Sequence, residues 1–520
     1  AREALVSSLR RPSLRWNARN AAGNASQKSS AELTGSSSSR QHPSSIPMDR
    51  AVSAASPGAA RAPGCRSVGL VETEPPEPTF PEHEHEDALE PRHLIRRSDV
   101  VLRAGILMLG AGTSGLRVRE VMQGVARTVG IKKIKAQVTY TDIVLTVQRR
   151  GIFRTQVAEI NAPGVNAHRI AMVKDFAHNL PERATVAEVD AMLDEIEQTP
   201  RLYPTWLLVL LVALACASVT VLTNGGWREV LAVLPASALA FWLNRSLSSW
   251  QLNHLAVVLI SAATATGLYL TFTRLLDLAL GGPSPRMAAG LVCAAIFLIP
   301  GFPLVTAGLD LTRIDLLAGV PRLTYAAMVL LAITIGVWTI ATLSGVSPGV
   351  VPGLEGSPVA VWAALLVASF FAVFGWAMMF NSPWRAAVAS GVVAIIGNTP
   401  RLLMLQHGVK VHVATFIGCF IMGLLCALAA RLFDMEKIIM TVPTVLVSIP
   451  GASALRTLIY FDQADVVSAM QNGVATVLAV IAMVAGLAGA RMLTDPEWAF
   501  TRGDAPSTWH LVGRLFGRRG

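Results

Sequence analysis

The second half of this chain is a near-unbroken series of apolar stretches, and one motif occurs in it twice. The segments Ile299-Pro300-Gly301 and Ile449-Pro450-Gly451 each lie midway along a hydrophobic stretch. Each is followed at the same distance by an aspartate, Asp315 in the first case and Asp465 in the second. Proline removes a backbone donor, so such a break is tolerated at bilayer depth only where the freed carbonyls meet protein or a watery cavity. Two broken helices at matching positions are typical of a transporter.

Ten segments are long and apolar enough to cross a membrane, which requires about 20 predominantly apolar residues each. Five lie in the first half, at 204–223, 228–244, 252–273, 287–309 and 323–343. Five lie in the second half, at 359–380, 385–405, 410–431, 437–459 and 467–491. Hydrophobic residues make up 52% of the chain and charged residues only 15%. The sequence therefore predicts a mainly α-helical polytopic membrane protein.

Each half holds an odd number of predicted spans, so the second half must enter the membrane from the opposite side to the first. The two five-helix repeats are therefore predicted to be inverted, with a binding site near the midplane between them. The alternative is a chance recurrence of Pro-Gly in glycine-rich membrane helices.

The basic residues that flank the spans predict the orientation in the membrane. With the N-terminus inside, the cytoplasmic loops receive Arg245, Arg313, Arg322, Arg385, Arg431 and Lys437, and the outer loops receive Arg228, Arg274, Arg286, Arg401 and Lys410. The C-terminal tail adds further arginines, so both termini are expected in the cytoplasm of a plasma membrane protein. The net charge of +10 then reflects contact with the lipid surface and not with nucleic acid.

Composition divides the chain into segments of different character. The predicted order is a disordered Ser/Pro/Ala-rich tail (1–92), a small soluble, cytoplasmic α+β domain (93–200), the first membrane repeat (201–343), a linker loop (344–358), the second membrane repeat (359–492) and a basic cytoplasmic tail (493–520). The first tail has no apolar periodicity and no apolar core of a signal peptide. Its first methionine, Met48, could be the translation start.

Neither cysteines nor histidines form a metal-binding pattern. Of the five cysteines, four fall inside predicted spans and Cys65 lies in the tail, so no disulfide framework is expected. The run from His83 to Asp87 could hold a metal ion, but an isolated run of this kind in a polar tail is usually solvated. We predict no metal site.

The segment from Gly110 to Gly115 spells G-x-G-x-x-G after the apolar run 106–109 and before a helical pattern at 116–129. A dinucleotide fold needs an acidic residue about 20 positions further on. The first suitable one, Asp142, comes clearly later, and too little chain precedes the membrane for further strand and helix units. The motif therefore predicts a helix-turn-helix, and no cofactor is expected.

The rest of this domain is predicted to hold two strands, at 137–147 and 152–160, joined by a tight turn at Arg149-Arg150-Gly151. A helix follows at 166–180 and ends at Pro181. Thr185 and Glu188 form a capping box for the next helix. The residues of that helix expected to face inward are Val189, Met192, Leu193 and Ile196.

The run 109–122 (Leu-Gly-Ala-Gly-Thr-Ser-Gly-Leu-Arg-Val-Arg-Glu-Val-Met), followed by Ala126, Gly130 and the strand sequence 139–142 (Thr-Tyr-Thr-Asp), resembles the soluble domain of the bacterial threonine/serine exporter (ThrE) family. With the ten spans in two halves, the resemblance covers about residues 95 to 492. It implies a cytoplasmic domain followed by a membrane carrier that exports L-threonine and L-serine, driven by the proton gradient. The N-terminal tail lies outside it.

A zwitterionic amino acid needs partners for its carboxylate and its ammonium in a site where unpaired charge is expensive. Amides beyond Pro300-Gly301 or Pro450-Gly451 could hold the carboxylate, and unwound carbonyls could hold the ammonium. Candidate proton carriers are Asp310, Asp315, Asp462 and Asp465, and Arg313 and Arg456 are candidates for their counter-ions or for clamps on the substrate carboxylate. All of these residues except Arg456 lie near span ends, so they could equally mark only the interface between the membrane and water.

Four residues of the soluble domain are candidates for gating the inner mouth or sensing substrate, namely Gly112, Ser114, Arg117 and Glu120. The i, i+3 pair of opposite charges could equally stabilise only a helix surface.

Export of a small amino acid competes with two other classes of function. A membrane-embedded enzyme is disfavoured because the spans carry no His-Glu-x-x-His, Gly-x-Ser-x-Gly or paired-aspartate motif in helix interiors. An ATP-driven pump is disfavoured because no G-x-x-x-x-G-K-[ST] loop occurs. A channel or a sensor with a cytoplasmic domain remains an alternative, as does export of a different small solute. Expected partners are L-threonine, L-serine, protons and the lipid bilayer, and a homo-oligomer is left open.

Overall fold

A computed structural model describes residues 91–149, 152–160, 164–345, 351–433, 435–495 and 498, apart from a few side chains within these ranges. The predictions for the two tails, including Cys65, the run from His83 to Asp87 and the start at Met48, lie almost entirely outside these residues.

The described residues between 91 and 200 form four helices and a three-stranded antiparallel sheet, which we call the α+β domain. Its elements are α1 (Pro91–Gly110), α2 (Gly115–Thr128), β1 (Lys133–Val138), β2 (Asp142–Arg149), β3 (Ile152–Glu159), α3 (Ala167–His178) and α4 (Val186–Gln198). The sheet order is β1-β2-β3. Ile143, Leu145 and Val147 of the central strand are fully buried in the core of this domain.

The glycine-rich motif forms the turn between α1 and α2, which confirms the predicted helix-turn-helix. Gly112 has a φ of 93°, a conformation that favours glycine. A Cβ atom at this position would also lie 2.7 Å from the carbonyl oxygen of Gly164. The glycine is therefore required by the turn and by the close approach of a neighbouring loop.

The single strand predicted at 137–147 is wrong, because the structure places two strands there. The chain turns between β1 and β2, where Thr139 Oγ1 accepts a hydrogen bond from the amide of Asp142 (2.9 Å). A threonine turn of this kind lacks the Gly or Pro that normally marks a turn in a sequence. The prediction for β3 is confirmed within one residue.

The two following helices agree closely with their sequence signals. Asn166 caps α3 by accepting a hydrogen bond from the amide of Arg169 (3.1 Å). The capping box of Thr185 and Glu188 is present at the start of α4. Of the four residues predicted to face inward on α4, three are buried and Met192 is half-buried.

The remaining chain forms two series of helices. The first series is α5 (Thr205–Leu222), α6 (Trp227–Ser249), α7 (His254–Leu280), α8 (Met287–Cys293), α9 (Gly301–Thr312) and α10 (Leu316–Leu343). The second is α11 (Pro358–Met379), α12 (Trp384–Gln406), α13 (Val411–Leu432), α14 (Lys437–Val445), α15 (Gly451–Asp462) and α16 (Val466–Thr494).

Eight helices of the described chain are long and apolar enough to cross a membrane. A ninth candidate is the pair 287–298 and 301–312, which bends by 74° at the first Pro-Gly. The predicted span 437–459 is likewise divided at the second Pro-Gly, into a short apolar helix, Lys437–Ser448, and α15. Of the ten predicted spans, eight are thus single helices, one is a bent pair and one is divided into two short helices. Both predicted breaks are confirmed.

The two series repeat each other in local detail. Both α6 and α12 have 23 residues and begin with Trp-Arg, the arginine carbon Cζ lying 5.6 Å from the tryptophan ring in each case. Before α10 and α16, Ile314 and Ala464 adopt φ angles of 60° and 59°. Such angles are rare outside glycine, Asn and Asp. The same local geometry therefore occurs twice.

The α+β domain rests on the helix ends of the membrane part. The amide of Ala167 at the start of α3 donates to the carbonyl of Phe380 (2.9 Å), and the amide of His168 donates to the carbonyl of Asn381 (3.1 Å). The Asn381 side chain also bonds Asn166 (2.8 Å) and accepts from the amide of Leu202 (2.9 Å). The turn between α11 and α12 is therefore part of what we call the domain-facing end of the membrane helices.

The close packing of α5 against α11 gives a testable consequence. A Cβ atom at Gly375 would lie 2.5 Å from the carbonyl oxygen of Leu211, whereas at Gly267 the nearest atom would be 4.0 Å away. We expect G375A to destabilise the protein by about 1–3 kcal/mol through overpacking. The matched change G267A should be neutral or slightly stabilising. Thermal unfolding of the detergent-purified variants measures both, and equal melting temperatures would contradict this packing.

Candidate functional site

The two helix breaks lie against each other in the centre of the membrane helices. A Cβ atom at Gly301 would lie 2.3 Å from Leu446 Cδ2, and one at Gly451 would lie 3.3 Å from Val292 Cγ1. Each break thus packs on the segment that precedes the other. A small cavity adjoins them, lined by Ile296, Phe297, Ile299, Trp376, Met379, Leu446 and Ile449. The structure brings the predicted residues Pro300, Gly301, Pro450 and Gly451 together.

Both breaks have the same backbone geometry. Pro300 has φ −76° and ψ 60°, and Pro450 has φ −82° and ψ 54°. The amide of Gly301 donates to the carbonyl of Ile299 (2.7 Å), and the amide of Gly451 donates to that of Ile449 (2.9 Å). These are inverse γ-turns. A new helix begins directly after each turn, so the N-termini of α9 and α15, which carry partial positive charge, point at the protein interior.

A buried ion pair lies at the other end of α9. Asp310 and Arg322 are 3% and 1% exposed, and Arg322 Nη1 donates to Asp310 Oδ2 (2.7 Å). Arg322 Nη2 donates to the carbonyl of Thr113 in the glycine-rich turn (2.7 Å). The guanidinium also lies 5.8 Å from the ring of Tyr140. One arginine of α10 therefore joins α9 to the α+β domain.

A second ion pair lies beside the first and is more open to solvent. Arg119 Nη2 contacts Asp315 Oδ2 at 2.6 Å. The start of α2 comes close to the start of α10 here, since a Cβ atom at Gly115 would lie 3.2 Å from Ala318 Cβ. The cations that pair with Asp310 and Asp315 are thus Arg322 and Arg119, whereas the sequence suggested Arg313. The guanidinium of Arg313 lies 5.1 Å from the ring of Trp498.

The domain contacts the second series through a charge network around Glu436, which is 12% exposed at its side chain. Arg117 Nε and Lys174 Nζ lie 3.4 Å and 3.3 Å from its carboxylate, and Arg117 also binds Glu120 (2.6 Å). Burial would raise the pKa of Glu436, but Arg117 and Lys174 outweigh it and hold the pKa below its usual value. Burial would lower the pKa of Arg117, but Glu436 and Glu120 raise it. The network is therefore intact at neutral pH and weakens only in acid, as the carboxylate protonates.

The matching charges of the second series have different surroundings. Asp462 and Asp465 are exposed. Asp465 caps α16 by accepting from the amide of Ser468 (3.1 Å), and hydrogen bonding to Ser468 holds the pKa of Asp465 below its usual value. Arg456 is half-buried on α15. The structure does not bring these three residues to the Asp310 pair.

The predicted motif of the soluble domain divides into two roles. Gly112 and Ser114 belong to the turn that presents the Thr113 carbonyl, with Ser114 at the N-cap of α2. Arg117 and Glu120 belong to the network at Glu436. All four lie at the interface with the membrane helices.

Sequence analysis missed Arg322, which it assigned to a loop, and Arg119. The one signal that pointed to Arg322 was a charged residue close to Pro321 at the margin of an apolar stretch. Within the part of the chain that the structure describes, no group of three His, Cys, Asp or Glu could hold a metal ion. Its four cysteines are buried.

Comparison with known proteins gives two family matches. The profile described as "Putative threonine/serine exporter" matches residues 99–344, and the profile described as "Threonine/Serine exporter, ThrE" matches residues 365–492. Together they cover most of the chain. No solved structure gives a significant match.

Individual relatives carry different names. A protein of Klebsiella aerogenes named "Probable succinate transporter subunit YjjP" is 27% identical over 266 residues, which are 50% of this chain and 97% of that protein. The "Threonine/serine exporter" of Corynebacterium glutamicum is 23% identical over 380 residues, 69% of this chain and 74% of that protein. "Pheromone-regulated membrane protein 10" of Candida albicans is 24% identical over 367 residues, 68% of this chain and 32% of that protein.

The two ion pairs differ in burial, so they should contribute different amounts to the free energy of unfolding. Replacing Arg322 by Gln leaves the Asp310 carboxylate buried without its cation, which should cost about 3–5 kcal/mol. The change R119Q removes a partly exposed pair and should cost less than about 1 kcal/mol. Thermal unfolding measures both. The double variant D310N/R322Q should recover part of the loss, and an R322Q protein as stable as R119Q would contradict the buried pair.

Proposed function

Because this chain belongs to the threonine/serine exporter family, we propose that it is a secondary active exporter of small polar amino acids, L-threonine and L-serine, across the plasma membrane. The observation that carries the proposal is the contact between the two helix breaks, Gly301 on Leu446 and Gly451 beside Val292. Broken helices that meet at the centre of a bundle are how transporters build a solute site within a bilayer.

We propose that the two series are inverted repeats that rock against each other. The broken segment of the first series runs toward the α+β domain, since the last turn of α9 carries Asp310, which lies beside Arg322 and, through it, Thr113. The broken segment of the second series begins at that domain, since Glu436 contacts Arg117 and Lys174. These opposite directions support the inversion and alternating access at the two breaks.

In this mechanism the breaks bind the substrate. The N-termini of α9 and α15 attract the carboxylate, because their first amides have no partner within the helix. Carbonyl groups before Pro300 and Pro450 accept from the ammonium. The apolar lining of the adjoining cavity, which includes Phe297 and Trp376, excludes water around these few polar contacts.

Proton coupling is proposed to act through Asp310 and Asp315. A proton on Asp310 removes the charge that holds Arg322, and Arg322 also holds the Thr113 carbonyl. Protonation therefore loosens the contact between α9, α10 and the α+β domain. In the second series, Asp462 and Asp465 are the corresponding candidates, with Arg456 as a nearby cation of α15.

The α+β domain and both termini are proposed to lie in the cytoplasm. The predicted bias of basic residues supports this orientation. Exposed tryptophans at helix starts, Trp206 on α5, Trp227 on α6 and Trp384 on α12, suit the interface between the bilayer and water.

A second candidate is export of a small dicarboxylate. It is favoured by the similarity to the protein named "Probable succinate transporter subunit YjjP", which matches half of this chain. A channel or a sensor with a regulatory domain remains an alternative outcome of the same experiment.

Transport in inside-out vesicles tests the proposal. Vesicles that contain the protein should accumulate labelled threonine or serine, because uptake into them corresponds to export from the cell. A protonophore should abolish the accumulation, and vesicles without the protein should show none. Uptake of succinate but of neither amino acid would instead identify the transported solute as a dicarboxylate. Equilibration without accumulation would indicate a channel, and no uptake of any of the three would overturn the exporter.

Carboxylate variants test the coupling groups. D315N and the double variant D310N/R322Q, which leaves no unpaired charge of the buried pair, should reach the membrane but lose most proton-driven uptake, because these positions can then no longer change charge. D465N tests the second series in the same way. The control is S468A, which alters the surroundings of Asp465 without removing a carboxylate. Wild-type uptake by all three aspartate variants would remove them from the mechanism.

A further inference from the structure

A cation of the second series lies inside a membrane helix without an acidic partner. Arg401 is on α12, roughly a turn and a half before that helix ends at Gln406. Sequence analysis had counted it with the outer loops, although it falls inside the predicted span 385–405. Its Nη1 donates to Asn398 Oδ1 (3.2 Å), and its Nε is buried without a hydrogen-bond partner. An intramembrane guanidinium that no described carboxylate neutralises is expensive and marks a functional site by default.

The Arg401 side chain is held in place from two sides. Asn398 is fully buried, and its Nδ2 donates to Ser369 Oγ on α11 (3.0 Å). That bond orients the amide so that its oxygen faces Arg401. On the opposite side, a Cβ atom at Gly418 of α13 would lie 2.9 Å from Arg401 Cβ. The glycine lets α13 approach, and the base of the arginine is therefore fixed.

Two buried hydroxyl groups lie close to Cys419, a residue that neighbours this arginine. Thr415 on α13 is 0% exposed and Ser448, just before the second break, is 1% exposed. The Thr415 side-chain oxygen has no hydrogen-bond partner, whereas the Ser448 oxygen has only the thiol of Cys419, a weak partner, beside it. Cys419 lies one helical turn after Thr415 on the same face, and it lies beside both Arg401 and Ser448. Arg401, Thr415 and Ser448 thus lie around Cys419, and Ser448 is two residues before Pro450 of the second break.

Buried polar groups in native proteins are almost always hydrogen-bonded, so a buried group without a partner indicates a ligand or requires another explanation. We propose that Arg401, Asn398, Thr415 and Ser448 form a binding site for the carboxylate group of the transported solute. This inference rests on the proposed function and names the group that the second break recognises. A guanidinium offers paired N–H groups that match the two oxygens of a carboxylate.

The site belongs to one series only. Counted from the Trp-Arg pair that begins α6 and α12, the position of Arg401 corresponds to Asn244. Asn244 donates to Ser261 Oγ (3.2 Å) and carries no charge. The charged position lies toward the end of α12 away from Trp384, and therefore away from the domain-facing end. Amino acids and dicarboxylates both carry the group that this site would bind.

Binding to the detergent-purified protein tests the site, with labelled L-threonine, L-serine and succinate as probes. We expect R401Q to weaken binding of the solute that the wild type binds by about 10- to 100-fold, because a charge-assisted hydrogen bond is lost. The control R385Q removes a charge from the same helix, where Arg385 stacks on Trp384, and should bind like the wild type.

A second readout separates recognition from a structural role. Threoninamide, or the monoamide of succinate if succinate is bound, lacks one carboxylate, so the wild type should prefer the acid over the amide. R401Q should lose most of that preference, since only the helix N-terminal amides then attract the carboxylate, whereas a variant that only loosens the helix packing would keep it in full. Equal affinity and equal preference in R401Q and the wild type would overturn the site.

The remaining outcomes are also decisive. If R401Q does not reach the membrane, T415V and S448A replace it, and each should bind the acid several-fold more weakly because one hydroxyl donor is lost. Unchanged binding in both would overturn the site. Proton-driven uptake by the wild type would still support the exporter in that case, whereas a wild type that neither binds nor transports any of the three probes would overturn both proposals.

Discussion

The ion pair between Arg322 and Asp310 fixes the position of three segments at once. Its arginine extends from α10, its aspartate from α9, and the second arginine N–H group binds the turn between α1 and α2. In a low-dielectric interior an uncompensated charge is far more costly than a surface one. The glycine-rich turn, the end of the first broken helix and the start of α10 therefore depend on one another, although they are distant in the sequence.

The two series share a backbone plan but not an electrostatic one. The inverse γ-turn, the left-handed residue and the aspartate before the last helix occur in both. Asp315 pairs with Arg119, whereas Asp465 is exposed and only caps its helix. Arg401 has a neutral counterpart in Asn244. The two series therefore share these backbone features, and their charged side chains differ.

Features set by neighbouring residues could be predicted from the sequence. The Pro-Gly breaks, the capping box at Thr185 and the helix-turn-helix at Gly112 depend on local backbone chemistry, and the structure contains all three. The turn at Thr139 was missed because its side-chain hydrogen bond leaves no Gly or Pro signal. Arg322 was placed in a loop because hydropathy treats a charge as the end of a span, and Arg401 was counted with the outer loops although it falls inside the predicted span 385–405. Their partners, Thr113 and Asn398 among them, become visible only once the helices are packed.

The α+β domain is bonded to both series, to α9 and α10 through Arg322 and Arg119 and to the α11–α12 turn and Glu436 through α2 and α3. The domain therefore links the two series at one end of the helix bundle. The rocking motion proposed for the two series would have to break some of these bonds, so the domain would raise the activation barrier between the two proposed states. Several of its bonds are partly exposed ion pairs, which dissolved salt screens. The ionic strength on the side of the α+β domain would then affect the rate of the proposed transport cycle, independently of the affinity for the solute.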